Sequence, residues 1–189
     1  NKTYIEALKI TPDIDAGKVR IEVASSAPAE VRIEGAFDGK RVAEAMGKTG
    51  EAIELEVPDA KLWSPDSPNL YDLHVTLVDG DQKLDEVSSY FGMRKIEVKK
   101  DEAGINRLWL NNEVVFQYGP LDQGWWPDGL YTPATDEAMK YDIEMTKKFG
   151  MNMARKHVKY ECPRWYYCAT SWGSSSGRTC RRATPGATR

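Results

Sequence analysis

The sequence predicts a mainly β chain, with a β-sandwich over residues 1–98 followed by the incomplete start of a parallel α/β domain over residues 99–169. Two patterns carry that reading. Residues 4–98 alternate apolar and charged side chains in short runs separated by turn-forming residues, the mark of strands that bury one face. Residues 114–158 read instead as strand, long loop, amphipathic helix and strand, the repeat from which parallel sheets are built.

In the sandwich, Val19, Ile21 and Val23 are interleaved with Arg20 and Glu22, Val31 and Ile33 with Arg32 and Glu34, and Ile53, Leu55 and Val57 with Glu54 and Glu56. Successive side chains of a strand point to opposite faces, so each run has one apolar and one charged face. Turns are predicted at Asp15-Ala16-Gly17, Phe37-Asp38-Gly39 and Asp79-Gly80-Asp81, whose residues tolerate positive φ or bond their own backbone. Two further strands run through Leu73, Val75 and Leu77 and through Val87, Tyr90 and Phe91, for about seven in all. His74 lies in one of them and reads as a half-exposed structural residue.

Past the sandwich, residues 108–116 predict a hairpin around the two-residue turn Asn111-Asn112, leading into an apolar strand that ends near Tyr118-Gly119. A loop rich in Gly, Pro and Trp follows. Thr135 is placed to cap a helix with Asp136 and Glu137 in its first turn, an apolar stripe of Ala138, Tyr141, Met145 and Phe149, and a stop at Gly150. Residues 151–158 form the next strand. With two strands only, this domain lacks the neighbours that bury both faces of a parallel sheet.

Four segments share their pattern with a known group. They are Leu62-Trp63-Ser64-Pro65-Asp66-Ser67-Pro68-Asn69-Leu70-Tyr71, then Tyr90-Phe91-Gly92-Met93-Arg94-Lys95-Ile96, then Trp109-Leu110-Asn111-Asn112-Glu113, and finally residues 136–165 with Gly150-Met151-Asn152-Met153-Ala154-Arg155-Lys156-His157 and Pro163-Arg164-Trp165-Tyr166-Tyr167. In this order and spacing they resemble glycoside hydrolase family 2, the β-galactosidases, β-glucuronidases, β-mannosidases and relatives. The resemblance covers about residues 1–169. It implies an immunoglobulin-like sandwich followed by the first two strands and one to two helices of a TIM (β/α)8 barrel, taken from the middle of a longer parent. It further implies a retaining, exo-acting β-glycosidase, whose two catalytic glutamates lie on later barrel strands. No catalytic residue is therefore assigned within this chain, which is expected to be inactive alone.

Residues 168–189 hold four arginines and no acid, which leaves 22 basic against 29 acidic residues in residues 1–167. From position 170 onward there is no Leu, Ile, Val, Phe or Met. One reading is a disordered or basic tail. The other is a shifted reading frame: restoring one G ahead of a permitted back-translation of residues 170–181 yields Asp-Lys-Leu-Gly-Leu-Leu-Val-Trp-Gln-Asp-Met-Pro, a helix end, a glycine stop and an apolar strand.

The whole chain carries 26 basic and 29 acidic residues, a balance that argues against a polyanionic partner. No apolar run approaches the roughly 20 residues of a membrane-spanning helix. Cys162, Cys168 and Cys180 fit no zinc or disulfide spacing and read as incidental.

Binding candidates sit in the α/β portion. Asp122 and Asp128 follow the first strand, on the side where barrels hold substrates, and suit either sugar hydroxyls or turns beside Gly124 and Gly129. Trp125 and Trp126 suit either pyranose stacking or core packing. The resemblance places Arg155 beside the catalytic carboxylates, where a guanidinium orients a carboxylate; a plain ion pair is the alternative. His157 follows Arg155 by two residues, whereas many members carry a sugar-contacting histidine three residues after, which in a strand is the opposite face. The expected partner is a carbohydrate substrate, without nucleic acid, membrane, cofactor or metal, in a parent open to homo-oligomeric assembly. Two other readings are a non-catalytic carbohydrate-binding module and a structural sandwich.

Overall fold

The computed structural model describes residues 2–173 and 175–179, the last five as backbone. The chain forms two compact units, Asn1–Val115 and Phe116–Arg189.

Seven strands make the sandwich of the first unit. β1 (Ile5–Asp13), β2 (Lys18–Ser25) and β5 (Ala52–Glu56) form one sheet in the order β1-β2-β5. β3 (Glu30–Phe37), β4 (Lys40–Lys48), β6 (Tyr71–Asp79) and β7 (Gln82–Phe91) form the other in the order β4-β3-β6-β7. All their pairings are antiparallel. The apolar phases read from the sequence face inward: Val19, Ile21, Val31, Ile33, Leu55, Leu73, Val75 and Leu77 are completely buried in one cluster drawn from both sheets. The charged phases lie outside, where pairs such as Lys18–Glu54 at 3.0 Å and Arg41–Glu44 at 2.9 Å line the surface. His74 is exposed, with Nδ1 3.1 Å from Ser88 Oγ.

Trp63 is fully buried. Its N–H donates to Met93 O at 2.9 Å, and the Arg94 guanidinium sits 4.4 Å from its ring centroid. The carbonyl of Trp63 accepts from Asn111 Nδ2 at 2.9 Å, so the tryptophan is tied to the next sheet as well. That sheet consists of β8 (Ile96–Lys100), β9 (Asn106–Leu110) and β10 (Glu113–Val114), in the order β10-β9-β8. The predicted turn between β9 and β10 is present: Asn111 and Asn112 have φ of 53° and 69°, the left-handed pair that a two-residue hairpin needs. Asn111 Oδ1 also accepts from Lys95 N at 3.0 Å, while Asn112 Nδ2 and Lys95 Nζ reach Asp15 at 2.9 and 2.6 Å. Those bonds hold the Asp15 carboxyl below its ordinary range, Lys95 being the larger cause. They also explain why residues 99–115 belong to the first compact unit, past the 98/99 boundary suggested by sequence pattern.

The second unit is a parallel β-loop-α-β arrangement. β11 (Leu121–Asp122) and β12 (Met153–His157) pair in parallel, with α1 (Asp136–Lys148) between them in sequence. α2 (Pro163–Ser171) follows, and then β13 (Ser175–Thr179), parallel to β12 from Met153↔Ser175 to His157↔Thr179. Of the segment 170–189 read as a tail, residues 170 and 171 end α2 and residues 175–179 form β13, while residues 174 and 180–189 lie outside the described residues. Residues 116–120 carry no strand assignment, but Tyr118 O accepts from Asn152 N at 2.9 Å and Pro120 O accepts from Arg155 N at 2.9 Å, so the predicted parallel contact extends back to Tyr118.

α1 begins and ends as predicted: Thr135 Oγ1 accepts from Ala138 N at 3.1 Å, and Gly150, at φ +77°, donates to Lys147 O at 2.8 Å. Its buried face differs from the predicted stripe. Met139 and Ile143 are buried with Ala154, Trp165 and Ala169, whereas Tyr141 and Phe149 are 58% and 69% exposed. The i, i+4 pair that meets both β12 and α2 sets the rotation of the helix, and the two aromatics fall on its flanks.

Gly119 marks the closest backbone approach. A Cβ there would lie 1.7 Å from Met153 O, so no side chain fits without parting the chain from β12. Gly119→Ala is expected to destabilise the second unit by about 2–3 kcal/mol, seen as faster amide exchange at Asn152 and Arg155 with the sandwich amides unaffected. Unchanged exchange at those two amides would show that the approach is not this close.

Candidate functional site

The residues singled out in the sequence gather around β11, β12 and the loops that follow them. β12 sorts its side chains by alternation. Ala154 and Lys156 point to the helices, 5% and 3% exposed, and the Lys156 ammonium lies 4.3 Å from the centroid of the Trp165 ring. Arg155 lies on the opposite face and is exposed. His157, two residues on, shares that face with Arg155 and is half-buried, with Nδ1 3.3 Å from Gln123 Nε2.

Asp122 has both oxygens engaged within the protein. Oδ1 accepts from Gly124 N at 2.6 Å, which makes the turn into the loop, and Oδ2 accepts from Lys156 Nζ. Asp128 is exposed in a tight turn closed by Trp126 N donating to Leu130 O at 2.7 Å and Leu130 N donating to Trp126 O at 3.1 Å. The two tryptophans part company. Trp126 packs against the helix cluster, whereas Trp125 is 56% exposed with its ring centroid 4.2 Å from that of Tyr131, at an interplanar angle of 35°.

Three residues that the sequence reading passed over organise this region. Lys156, beyond its pair with Asp122, donates to Glu161 Oε1 at 2.9 Å. Lys159 Nζ lies 3.1 Å from the same oxygen. The Glu161 and Lys156 side chains are only 3% and 2% exposed, while Asp122, at 31%, reaches the surface, so the cluster of two ammonium groups and two carboxylates is buried at its Lys156–Glu161 centre. Charges buried to that extent must be paired. The signal was present in the sequence: Lys156 shares the strand phase of Ala154, and a lysine in a buried phase requires a carboxylate partner, which Glu161 supplies five residues later.

Beside the cluster, a cavity of about 460 Å³ lies between β11 and α1, bounded in part by Asp122, Trp125, Asp142, Phe149 and Trp165. Burial pushes the Asp142 carboxyl above its ordinary range, the Asp122 carboxylate adds to that, and Lys156 partly opposes it. Among the described residues no group of three or more His, Cys, Asp and Glu is arranged to hold a metal ion, and no helix is long and apolar enough to cross a membrane. Cys162 Sγ rests 3.9 Å from Met139 Sδ, and burial pushes the Cys168 thiol up. The site as built presents an exposed aromatic pair at a loop beside a neutralised ionic cluster, and an exposed arginine on the face of β12 opposite the helices.

Residues 3–94 match the family model of the glycosyl hydrolases family 2. A putative beta-glucuronidase of Formosa agariphila is 32% identical over 133 residues, covering 68% of this chain and 12% of its own length. A beta-galactosidase of Leuconostoc mesenteroides is 30% identical over 71% of this chain and 13% of its own, and one of Photobacterium profundum is 29% identical over 91% and 18%. Among solved structures, the β-glucuronidase of Ruminococcus gnavus in complex with D-glucaro-d-lactam superposes with a TM-score of 0.81 at 21% identity, over 94% of this chain and 30% of that one. The chain thus spans less than a fifth of the length of these curated relatives.

Proposed function

The chain belongs to glycosyl hydrolases family 2, and from that membership we propose that it contributes the immunoglobulin-like sandwich and the opening of the TIM barrel of a retaining, exo-acting β-glycosidase. The observation that carries the reading is Arg155. In the parallel unit that follows a family sandwich, it stands on the sheet face that the helices leave uncovered. In a closed barrel that face is the interior, and a guanidinium there would orient a carboxylate delivered by another strand. His157 shares the face, and Trp125 offers a C–H stacking surface for a pyranose at the adjoining loop. Asp122 serves to anchor that loop, and Trp126 to pack it against α1.

Retention requires two carboxyls about 5–5.5 Å apart, one as nucleophile and one as acid/base. Asp122 and Glu161 are bound to ammonium groups in the buried cluster. The nucleophile and the acid/base are assigned to strands beyond these 189 residues. A shifted frame after Ala169 would bring an apolar third strand to positions 174–177, overlapping the place where β13 pairs with β12.

The test is to read the source DNA through the codons of residues 167–182 and onward, then to express both the present chain and the continuously framed product. With 4-nitrophenyl β-galactoside and β-glucuronide as substrates, the present chain is expected to release no nitrophenol. The extended product is expected to release it with retained anomeric configuration by NMR. Inversion, or hydrolysis by the present chain, would overturn the proposal.

A further inference from the structure

We propose that Lys159 is a positioning residue for carbohydrate stacking, one that holds Trp125 and Tyr131 together as a preformed platform for the C–H face of a β-pyranoside. This rests on the reading of Trp125 as a sugar contact and adds its partner ring and the device that fixes both.

Three bonds radiate from the Lys159 ammonium. It donates to Gly124 O at 2.9 Å and to Tyr131 O at 2.7 Å, and it pairs with Glu161 Oε1 at 3.1 Å. An ammonium has three protons and no acceptor capacity, so these partners use all of it and none remains for a ligand. The side chain is 9% exposed, in keeping with a structural post. Its two carbonyl partners flank the segment that contains Trp125 and the turn closed between Trp126 and Leu130. One atom therefore staples both ends of the loop, leaving the Trp125 and Tyr131 rings 4.2 Å apart and 56% and 47% exposed.

Gly124 shows how tightly this post is seated. Its φ is +67°, and a Cβ there would fall 2.6 Å from Lys159 Nζ and 2.5 Å from Glu161 Oε1. Glu161 is in turn held by Lys156, which is held by Asp122. Aromatic stacking on a sugar is weak per contact, so affinity depends on how much ordering remains to be done at binding. A loop closed in advance removes that cost; an open one leaves two large side chains and their backbone to be ordered by the ligand.

The test uses the 189-residue chain with methyl β-D-galactopyranoside and methyl β-D-glucopyranoside as probes. Saturation-transfer NMR reads sugar binding, and the Trp125 indole N–H resonance, displaced by the Tyr131 ring, reads the pairing of the rings. The Trp63 and Trp165 indole resonances report whether each unit remains folded. Trp125→Ala is expected to abolish transfer to at least one probe. Lys159→Met is expected to weaken binding about tenfold and to move the Trp125 resonance to its position in Tyr131→Ala, with Trp63 and Trp165 in place. Should Lys159→Met lose the Trp165 resonance, Lys159→Arg decides, since a planar guanidinium keeps the charge beside Glu161 but does not place one nitrogen between both carbonyls. Wild-type binding and a wild-type Trp125 resonance in the variant that stays folded overturn the positioning role while leaving the stacking reading intact. Absence of transfer in the wild-type chain, or transfer indifferent to Trp125→Ala, overturns the stacking reading and the proposal with it.

Discussion

Replacing Trp63 by alanine is expected to cost the sandwich about 3–5 kcal/mol, enough to unfold it near physiological temperature if its stability is that of an ordinary domain. The side chain is fully buried, and the cavity left behind is lined on one side by Gly92, where a Cβ would already stand 3.2 Å from Trp63 Cβ, and which has no side chain to collapse inward. Arg94 would lose the ring beneath its guanidinium at the same time. The bond from the Asn111 side-chain amide to the backbone carbonyl of residue 63 survives the substitution, so the loss is one of packing. Chemical denaturation monitored by far-UV circular dichroism measures it. A shift of less than about 1 kcal/mol would mean that the site refills, contrary to the close packing described.

Lys156→Met is expected to have a comparable effect on the second unit, again about 3–5 kcal/mol, for an electrostatic reason. The substitution leaves the Asp122 carboxylate without its ammonium, and Glu161 with Lys159 alone. Among the described residues, a buried core of Met139, Ile143, Ala154, Trp165 and Ala169 leaves this unit little reserve against that loss. Amide exchange in β12 and α2 should rise to the rate of an unfolded chain while β2, β3 and β6 stay protected. Adding Asp122→Asn removes the orphaned charge and keeps a carbonyl oxygen for Gly124 N–H, and should recover about 1–2 kcal/mol. A double substitution no more stable than Lys156→Met alone would show that the charge of Asp122 is not what the lysine compensates.

Much of the fold was legible because one rule, alternation, governs most of the sandwich, broken where the register shifts, as at Leu77 and Val78, which are consecutive and both buried. Val19 through Val23 and Leu73 through Leu77 lie where their phase puts them, and the two-residue turn at Asn111-Asn112 needs only the tolerance of asparagine for positive φ. The helical unit was less legible. Its caps are local and were found, whereas the rotation of α1 is set by Ala154 and Trp165, residues distant in sequence, and the stripe built on Tyr141 and Phe149 missed it. The site was legible by residue type but not by grouping. Trp125 and Trp126 are neighbours in sequence and part in space, because the turn between Trp126 and Leu130 carries the second indole under the loop. Lys156 betrays its burial by sharing the phase of Ala154, whereas Lys159 looks like a solvated charge until Glu161 is seen to lie between the two.

The ladder between β12 and β13 has a consequence for how a gene can decay. Hydrogen bonds between strands read peptide groups, and β12 offers the same row of N–H and C=O groups to any chain that arrives in an extended conformation. A slip in the reading frame rewrites every downstream side chain, yet every non-proline residue it introduces keeps the same peptide N–H and C=O. A strand position could therefore outlast the message that specified it, and the sequence of β13, Ser-Ser-Gly-Arg-Thr, contains no large apolar residue. Damage of this kind would be silent in the backbone pairing and felt first as solubility, through a sheet that still zips but no longer seals.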